Sequence, residues 1–309
     1  MKTTSHSNTA AINHPHNDSS KKQLRRLRLL IKRGLFNSLP DNNMVCRRAT
    51  SVEELRDAYQ LVYEIYLDQK YILPNKSKMR VRAFEASPDT ATFVSRNRDK
   101  TLGVFSCIMD SPELKLPADK VFKPELKLLR DSGATLCEFS NQVILPEYRS
   151  SSVVTELMRT MFAHIWFHNI TDAVCAITPT QIEFYKLLGF TQLSDIKSYS
   201  DVVYDPVVLM RMPDVQNIWA KPVSAEMELE EFRYQFFTAT NPYISAVPFW
   251  DAMADRLFTN TSSMNALFAE CLPEFEQLSF AERTVIAAST GLKISMSDAS
   301  GQSYSENLA

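Results

Sequence analysis

The chain is poor in several things. Only 6 of its 309 residues are glycine, and none falls in the stretch VILPEYRSSSVV (143–154), where a strand pattern runs into a helix pattern. Its apolar runs, such as Val207-Val208-Leu209-Met210, fall far short of the roughly 20 residues a spanning helix requires, so no membrane span is expected. The five cysteines, Cys46, Cys107, Cys137, Cys175 and Cys271, are odd in number and contain no C-x-x-C pair. Neither a disulfide framework nor a metal site is suggested, and reduced, buried thiols in a cytosolic protein are the expectation. The N-terminus lacks an apolar core and a small-residue cleavage site, which argues against secretion. Nothing in the composition calls for a nucleic-acid partner.

What is present is a chain 45% hydrophobic and 23% charged, enough to bury a full core. The net charge of −2 hides a split. Residues 21–36, KKQLRRLRLLIKRGLF, carry seven Lys or Arg and no acid, which leaves −9 on the rest. Residues 1–20 are rich in Ser, Thr, Asn and His and are expected to be disordered. The basic stretch then spaces Leu24, Leu27, Ile31 and Leu35 as one face of an amphipathic helix. Such a helix serves an anionic membrane surface or an acidic protein partner, or docks on the body with a solvated basic rim.

From residue 45 the pattern alternates. Ser51-x-x-Glu54 is a capping box before the apolar face Leu55, Ala58, Val62 and Ile65. TATFVSRN and KTLGVFSCIM form a hairpin across a polar turn at Arg98-Asp99. FKPELKLLRDSG reads as a short helix stopped at Gly133, Thr135–Leu145 as a strand, and Ser152–His168 as a helix. DAVCAIT suits a buried strand, and Thr178-Pro179-Thr180-Gln181 opens a helix ending at Leu188-Gly189. Strand-like runs near Phe190–Leu193 and Val202–Met212 close the unit. The order implies an α/β (α+β) domain, residues 45–213, with helices on a mixed central sheet holding a parallel pair. Residues 214–295 lose strand alternation and read as a separate helical region, followed by a disordered tail over 296–309.

The succession EFSNQVILPEYRSSSVVTELM, then AVCAITPTQIEFYKLLGF, resembles the two acyl-donor motifs of the GNAT acyltransferase superfamily. With AYQLVYEIYLDQKYILPN, Met79-Arg80 and LPADKVFKPELKLLRDSG upstream, the chain is similar to FeeM-type N-acyl amino acid synthases, relatives of the autoinducer synthases, over roughly residues 47–213. The resemblance implies a GNAT-like mixed sheet and transfer of a long-chain fatty acyl group. The donor would be a phosphopantetheine thioester on acyl carrier protein, the acceptor an amino acid, with no tightly bound cofactor.

It also implies roles for particular residues. Glu138 on the central strand would act as general base and Tyr185 would protonate the departing thiolate. Backbone N–H groups near Val143 to Leu145 would steady the oxyanion, and Val143 and Leu145 would lie along the phosphopantetheine of the donor. The donor phosphate would meet Arg149, Ser150, Ser151 and Ser152, and the acceptor would meet Arg80, Ser140 and Asn141. The superfamily loop reads Arg/Gln-x-x-Gly-x-Gly/Ala, whereas this chain has Arg149-Ser150-Ser151-Ser152-Val153-Val154. Glycine permits close backbone approach to a pyrophosphate; its replacement favours the single phosphodiester of a carrier protein over coenzyme A. Asn141 stands where autoinducer synthases place Arg, which argues against homoserine-lactone chemistry, and Gln181 replaces a histidine frequent in FeeM-type sequences. An acetyl-CoA-dependent N-acetyltransferase and a silent GNAT-fold binding protein are the alternatives. A cytoplasmic enzyme with peripheral membrane contact through residues 21–36 is compatible with all of this.

Overall fold

The computed structural model describes residues 15–37, 39, 41–198, 206–217, 219–224 and 228–295. Of the tails read as disordered over 1–20 and 296–309, residues 1–14 and 296–309 lie outside the described residues, as does the start of the strand expected from Val202.

Among the described residues, eight strands form the sheet: β1 (Met44–Arg48), β2 (Thr90–Asn97), β3 (Lys100–Met109), β4 (Leu136–Ile144), β5 (Asp172–Ile177), β6 (Thr191–Gln192), β7 (Lys197–Ser198) and β8 (Pro206–Met212). Their order is β1-β2-β3-β4-β5-β8-β6, with β7 also on β8. Every pairing is antiparallel except β4 with β5. The hairpin of β2 and β3 falls where the alternation placed it, and Arg98 turns the corner with φ +51°. Strand β1 escaped the sequence reading because MVCRR is short and only every second side chain is buried.

Helix α1 (Pro15–Lys32) begins inside the segment expected to be disordered. It docks on the body through Leu27, with Leu24 and Leu30 beside it, against Leu187 and Leu229. Ile31 is 38% exposed, so the docked stripe follows steps of three residues and leaves Ile31 outside. The helix α2 (Val52–Asp68) keeps half of its capping box: Ser51 Oγ accepts the Glu54 N–H at 3.3 Å. The Glu54 carboxylate turns instead to the Thr50 N–H at 3.0 Å and to Arg47.

Helix α5 (Val153–Phe167) covers one face of the sheet. Leu157, Met161, Phe162 and Ile165 are buried there with Phe93, Phe105 and Phe139, each side chain worth about 1.5–3 kcal/mol on removal from water. On the other face lie α2, α3 (Ala83–Ala86) and α4 (Asp119–Asp131). The helix α6 (Ile182–Leu187) follows a 3-10 turn at Pro179–Gln181, and Thr178 supplies no side-chain cap there.

The last helices are α7 (Glu228–Tyr234), α8 (Val247–Thr259), α9 (Thr261–Ala269), α10 (Leu272–Phe275) and α11 (Phe280–Thr290), with a π turn at Gln235–Ala239. They do not form a body of their own. Phe237, Val247 and Trp250 join the α5 cluster, while Met264, Leu267, Phe268 and Ile286 join that of α2.

Candidate active site

The parallel pairing of β4 and β5 is brief. It joins Leu136–Glu138 to Asp172–Val174 and stops. Beyond it, Cys175–Ile177 pair with β8, and Phe139–Ile144 have their partners on β3. The cause of the parting is a bulge: the register with β3 shifts between Val104 and Ser106, where Asn141 takes φ +52°. Asparagine tolerates this left-handed conformation better than most residues. Its amide Nδ2 donates to Glu85 Oε1 at 2.9 Å and to Ser106 Oγ at 3.2 Å, which pins the bulge. A cleft of about 380 Å³ opens between the strands, bounded also by Tyr66 and Ile72 from and just after α2 and by Tyr185 from α6.

Glu138 sits at the fork. Its side chain lines the cleft, yet the residue is only 3% exposed. The carboxylate Oε2 accepts the Ala118 N–H, just ahead of α4, at 2.7 Å. Burial pushes its pKa up to about 7, against the downward pull of that amide and of the Arg82 charge. A carboxyl so placed exchanges a proton near neutral pH.

Two arginines, Arg80 and Arg82, line the same cleft. Arg82 Nη2 pairs with the buried Glu85 carboxylate at 2.5 Å and reaches Ser140 Oγ at 3.4 Å. Burial alone would raise Glu85, but Arg82, Arg80 and the Asn141 hydrogen bond outweigh it and hold the carboxyl below its ordinary range. Arg82 was missed in the sequence because an arginine two residues past Arg80 carries no motif. Ser140 and Asn141 line the cleft, but the Asn141 amide is committed to Glu85 and Ser106; it shapes the wall.

Tyr185 lies on the opposite wall, its hydroxyl donating to Gln142 Oε1 at 2.7 Å. Burial pushes the phenol well above its ordinary range, so it stays a proton donor. Gln142 had no sequence signal, since only the bulge turns it toward Tyr185.

The backbone donors of residues 143–145 divide between β3 and the cleft. The Leu145 N–H donates to the Leu102 carbonyl at 2.9 Å, so it is engaged with the β3 side. In an antiparallel ladder the direction of the amides alternates. Val143, opposite Val104, therefore also points at β3, and the amide of Ile144 faces the cleft. Arg149 Nε donating to the Ile144 carbonyl at 3.3 Å agrees with that orientation.

The serine loop is largely committed to its own turn. The Ser151 hydroxyl donates to the Tyr148 carbonyl at 2.7 Å and accepts the Val153 N–H at 3.3 Å. Ser150 is exposed and Ser152 buried at the N-cap of α5. Thr155, in the first turn of α5, donates its hydroxyl to the Leu35 carbonyl, which ties the end of the basic arm to the start of α5. Of the loop residues, Arg149 alone reaches the cleft wall among the described residues.

A mixed sheet split beside a buried carboxyl, with helices on both faces, defines the protein as an acyltransferase of GNAT type. The sequence matches the family of the N-acyl amino acid synthase FeeM over residues 57–213, half of the chain, and the protein belongs to that family. The solved structure of FeeM, an N-acyl amino acid synthase from uncultured soil microbes, is 25% identical with a TM-score of 0.49, covering 55% of this chain and 90% of that one. The CoA-dependent acyl-homoserine lactone synthase BjaI is 13% identical with a TM-score of 0.46, covering 68% and 99%. No curated protein matches the chain.

Proposed function

We propose that this N-acyltransferase moves a long-chain fatty acyl group from the thioester of acyl carrier protein to the amino group of an amino acid. The observation that carries the reading is Glu138: a buried carboxyl whose pKa burial pushes up to about 7, in a cleft of the split sheet that two arginines also line.

In this reading Arg80 and Arg82 hold the acceptor carboxylate, the guanidinium being suited to planar anions. Arg82 shares its charge with Glu85, so the acceptor adds to an existing pair. Glu138 takes the proton of the acceptor ammonium, directly or through water, and frees the nitrogen lone pair. The nitrogen bonds to the thioester carbon, and the cleft-facing Ile144 N–H meets the oxyanion. As the carbon–sulfur bond breaks, the Tyr185 hydroxyl gives its proton to the departing thiolate, and the second proton shed by the nitrogen as the amide forms returns to the tyrosinate through solvent. The apolar wall of Ile65, Ile72, Phe139 and Ile177 accommodates the start of the acyl chain.

Two features favour a carrier protein over coenzyme A. The loop at 150–154 offers side-chain bulk where a pyrophosphate needs backbone. The arm also brings the exposed Lys21, Lys22, Arg25 and Arg26 on a helix whose following turn is bonded to Thr155, just after that loop, and carrier proteins are acidic. The same basic face suits an anionic bilayer, and among the described residues no helix is long and apolar enough to cross one. The setting is the cytoplasm, in keeping with five free, buried cysteines.

Purified protein incubated with acylated carrier protein and mixed amino acids, read by mass spectrometry, is expected to yield acyl amides. Absence of amide from verified acyl carrier, with amide formed from acyl coenzyme A, would overturn the choice of donor. Absence from both would overturn the reading.

A further inference from the structure

At the end of α5 away from the serine loop, His164 and His168 stand one turn apart, and Asp251 of α8 meets both. Asp251 Oδ2 lies 2.9 Å from His168 Nε2, and Oδ1 lies 3.7 Å from His164 Nδ1. One ligating atom from each residue falls within 4.8 Å of the other two. Bonds of about 2.0–2.1 Å to a tetrahedral ion set neighbouring ligand atoms roughly 3.3 Å apart. Small side-chain rotations bring these three donors to that spacing.

The surroundings bear on the same point. Arg48 Nη1 donates to Asp251 Oδ1 at 2.6 Å, which fixes the carboxylate plane and leaves Oδ2 directed at His168. Ligating carboxylates are commonly steered by such an outer hydrogen bond. The Arg48 charge opposes a dication, but Asp251 already offsets much of it. Access comes from one side only: the His164 side chain is 4% exposed, that of His168 37%. An ion entering past His168 can keep water as its fourth ligand.

We propose that His164, His168 and Asp251 bind one divalent transition-metal ion of the zinc class, which clamps α8 onto α5. Two imidazoles with one carboxylate suit such ions, and do not suit magnesium or calcium. The site is structural with respect to acyl transfer, because some 11–15 residues of α5 separate it from the serine loop, roughly 17–23 Å along the helix. What the clamp fixes is the placement of α8, whose Trp250 meets Phe93 of β2 with ring centroids 6.2 Å apart. The competing arrangement is a plain imidazole–carboxylate pin, completed by Arg48 and needing no metal.

The test uses the full chain, with the three histidines elsewhere in the sequence, His6, His14 and His16, replaced by Ala to remove competing imidazoles. After dialysis against zinc sulfate, elemental analysis is expected to find one zinc per chain. A saturating excess of about 100-fold over Kd should raise Tm by roughly 5 °C. His168→Ala, at the exposed ligand, should lower zinc affinity by about 100-fold or more and abolish the Tm rise, leaving the zinc-free Tm near that of the parent. Cobalt substituted for zinc should show the visible bands of a four-coordinate nitrogen–oxygen site. Zinc absent after dialysis, or bound equally by the His168→Ala chain, would establish the metal-free pin.

Discussion

Replacing Glu138 by Gln separates chemistry from stability at one residue. The substitution keeps the shape and an oxygen for the Ala118 N–H, but removes the proton acceptor. A positioned general base contributes about 10²–10⁴-fold, so kcat/KM should fall by that factor. The wild-type rate should climb with pH through about 7, the value burial sets for this carboxyl. Between pH 6 and 8 its ionised fraction grows about tenfold, and that step should be missing from the variant.

Stability should move the opposite way. The folded pKa of Glu138 lies above its ordinary value of 4.5, so the native state holds the proton more tightly than the unfolded chain. Its contribution is fully present below pH 4.5 and is lost as pH rises through 7. A displacement of that size corresponds to about 3 kcal/mol. Glu138→Gln, which has no proton to lose, should therefore be more stable than the parent at pH 8, by up to about that amount, and nearly equal at pH 4. Stopped-flow thiol release across pH, beside urea unfolding at both ends, measures the two halves. Activity within a few-fold of wild type with an unchanged pH step would refute the base assignment. A variant less stable at pH 8 would refute the electrostatic argument.

Other substitutions probe the cleft separately. Tyr185→Phe should lower kcat about tenfold or more with little change in KM, seen in steady-state kinetics at pH 8, because only the proton donor is lost. Arg82→Ala strips the partner of a carboxylate whose side chain is 0% exposed and should cost about 3–5 kcal/mol in urea unfolding. Asn141→Ala, at φ +52°, should lose about 2–3 kcal/mol from backbone strain and two hydrogen bonds, with Asn141→Gly milder by about 1 kcal/mol in the same assay. Gly103→Ala would set a Cβ 2.5 Å from Ile144 Cδ1 and 3.2 Å from the Val143 carbonyl, so a drop of about 1–3 kcal/mol should register in thermal melts.

Much of the architecture was legible because its signals are local. The alternation of TATFVSRN and KTLGVFSCIM shows two strands, and Gly133 at φ +83° ends a helix where it was expected to. The donor and acceptor motifs carried Glu138, Tyr185, Arg149 and Arg80, and all four lie on one cleft. Arg82 and Gln142 were not legible: Arg82 carries no motif, and the orientation of Gln142 depends on one extra residue in β4, a bulge set by the partner strand. Nor was it legible that the Ser151 hydroxyl bonds within its own turn.

By itself the sequence determined where most of the strands and helices lie, which residues are apolar enough to be inside, and that a strand carboxylate precedes a serine-rich helix start. These follow from spacing and from neighbours a few positions away. Only the tertiary structure decided that β4 and β5 part after Glu138, that burial lifts its carboxyl toward neutrality, and that residues 228–295 join the two main cores. It also brought Asp251 to two histidines more than eighty positions earlier. Burial, field and long-range contact depend on what the rest of the chain places around a group, and no local pattern carries that information.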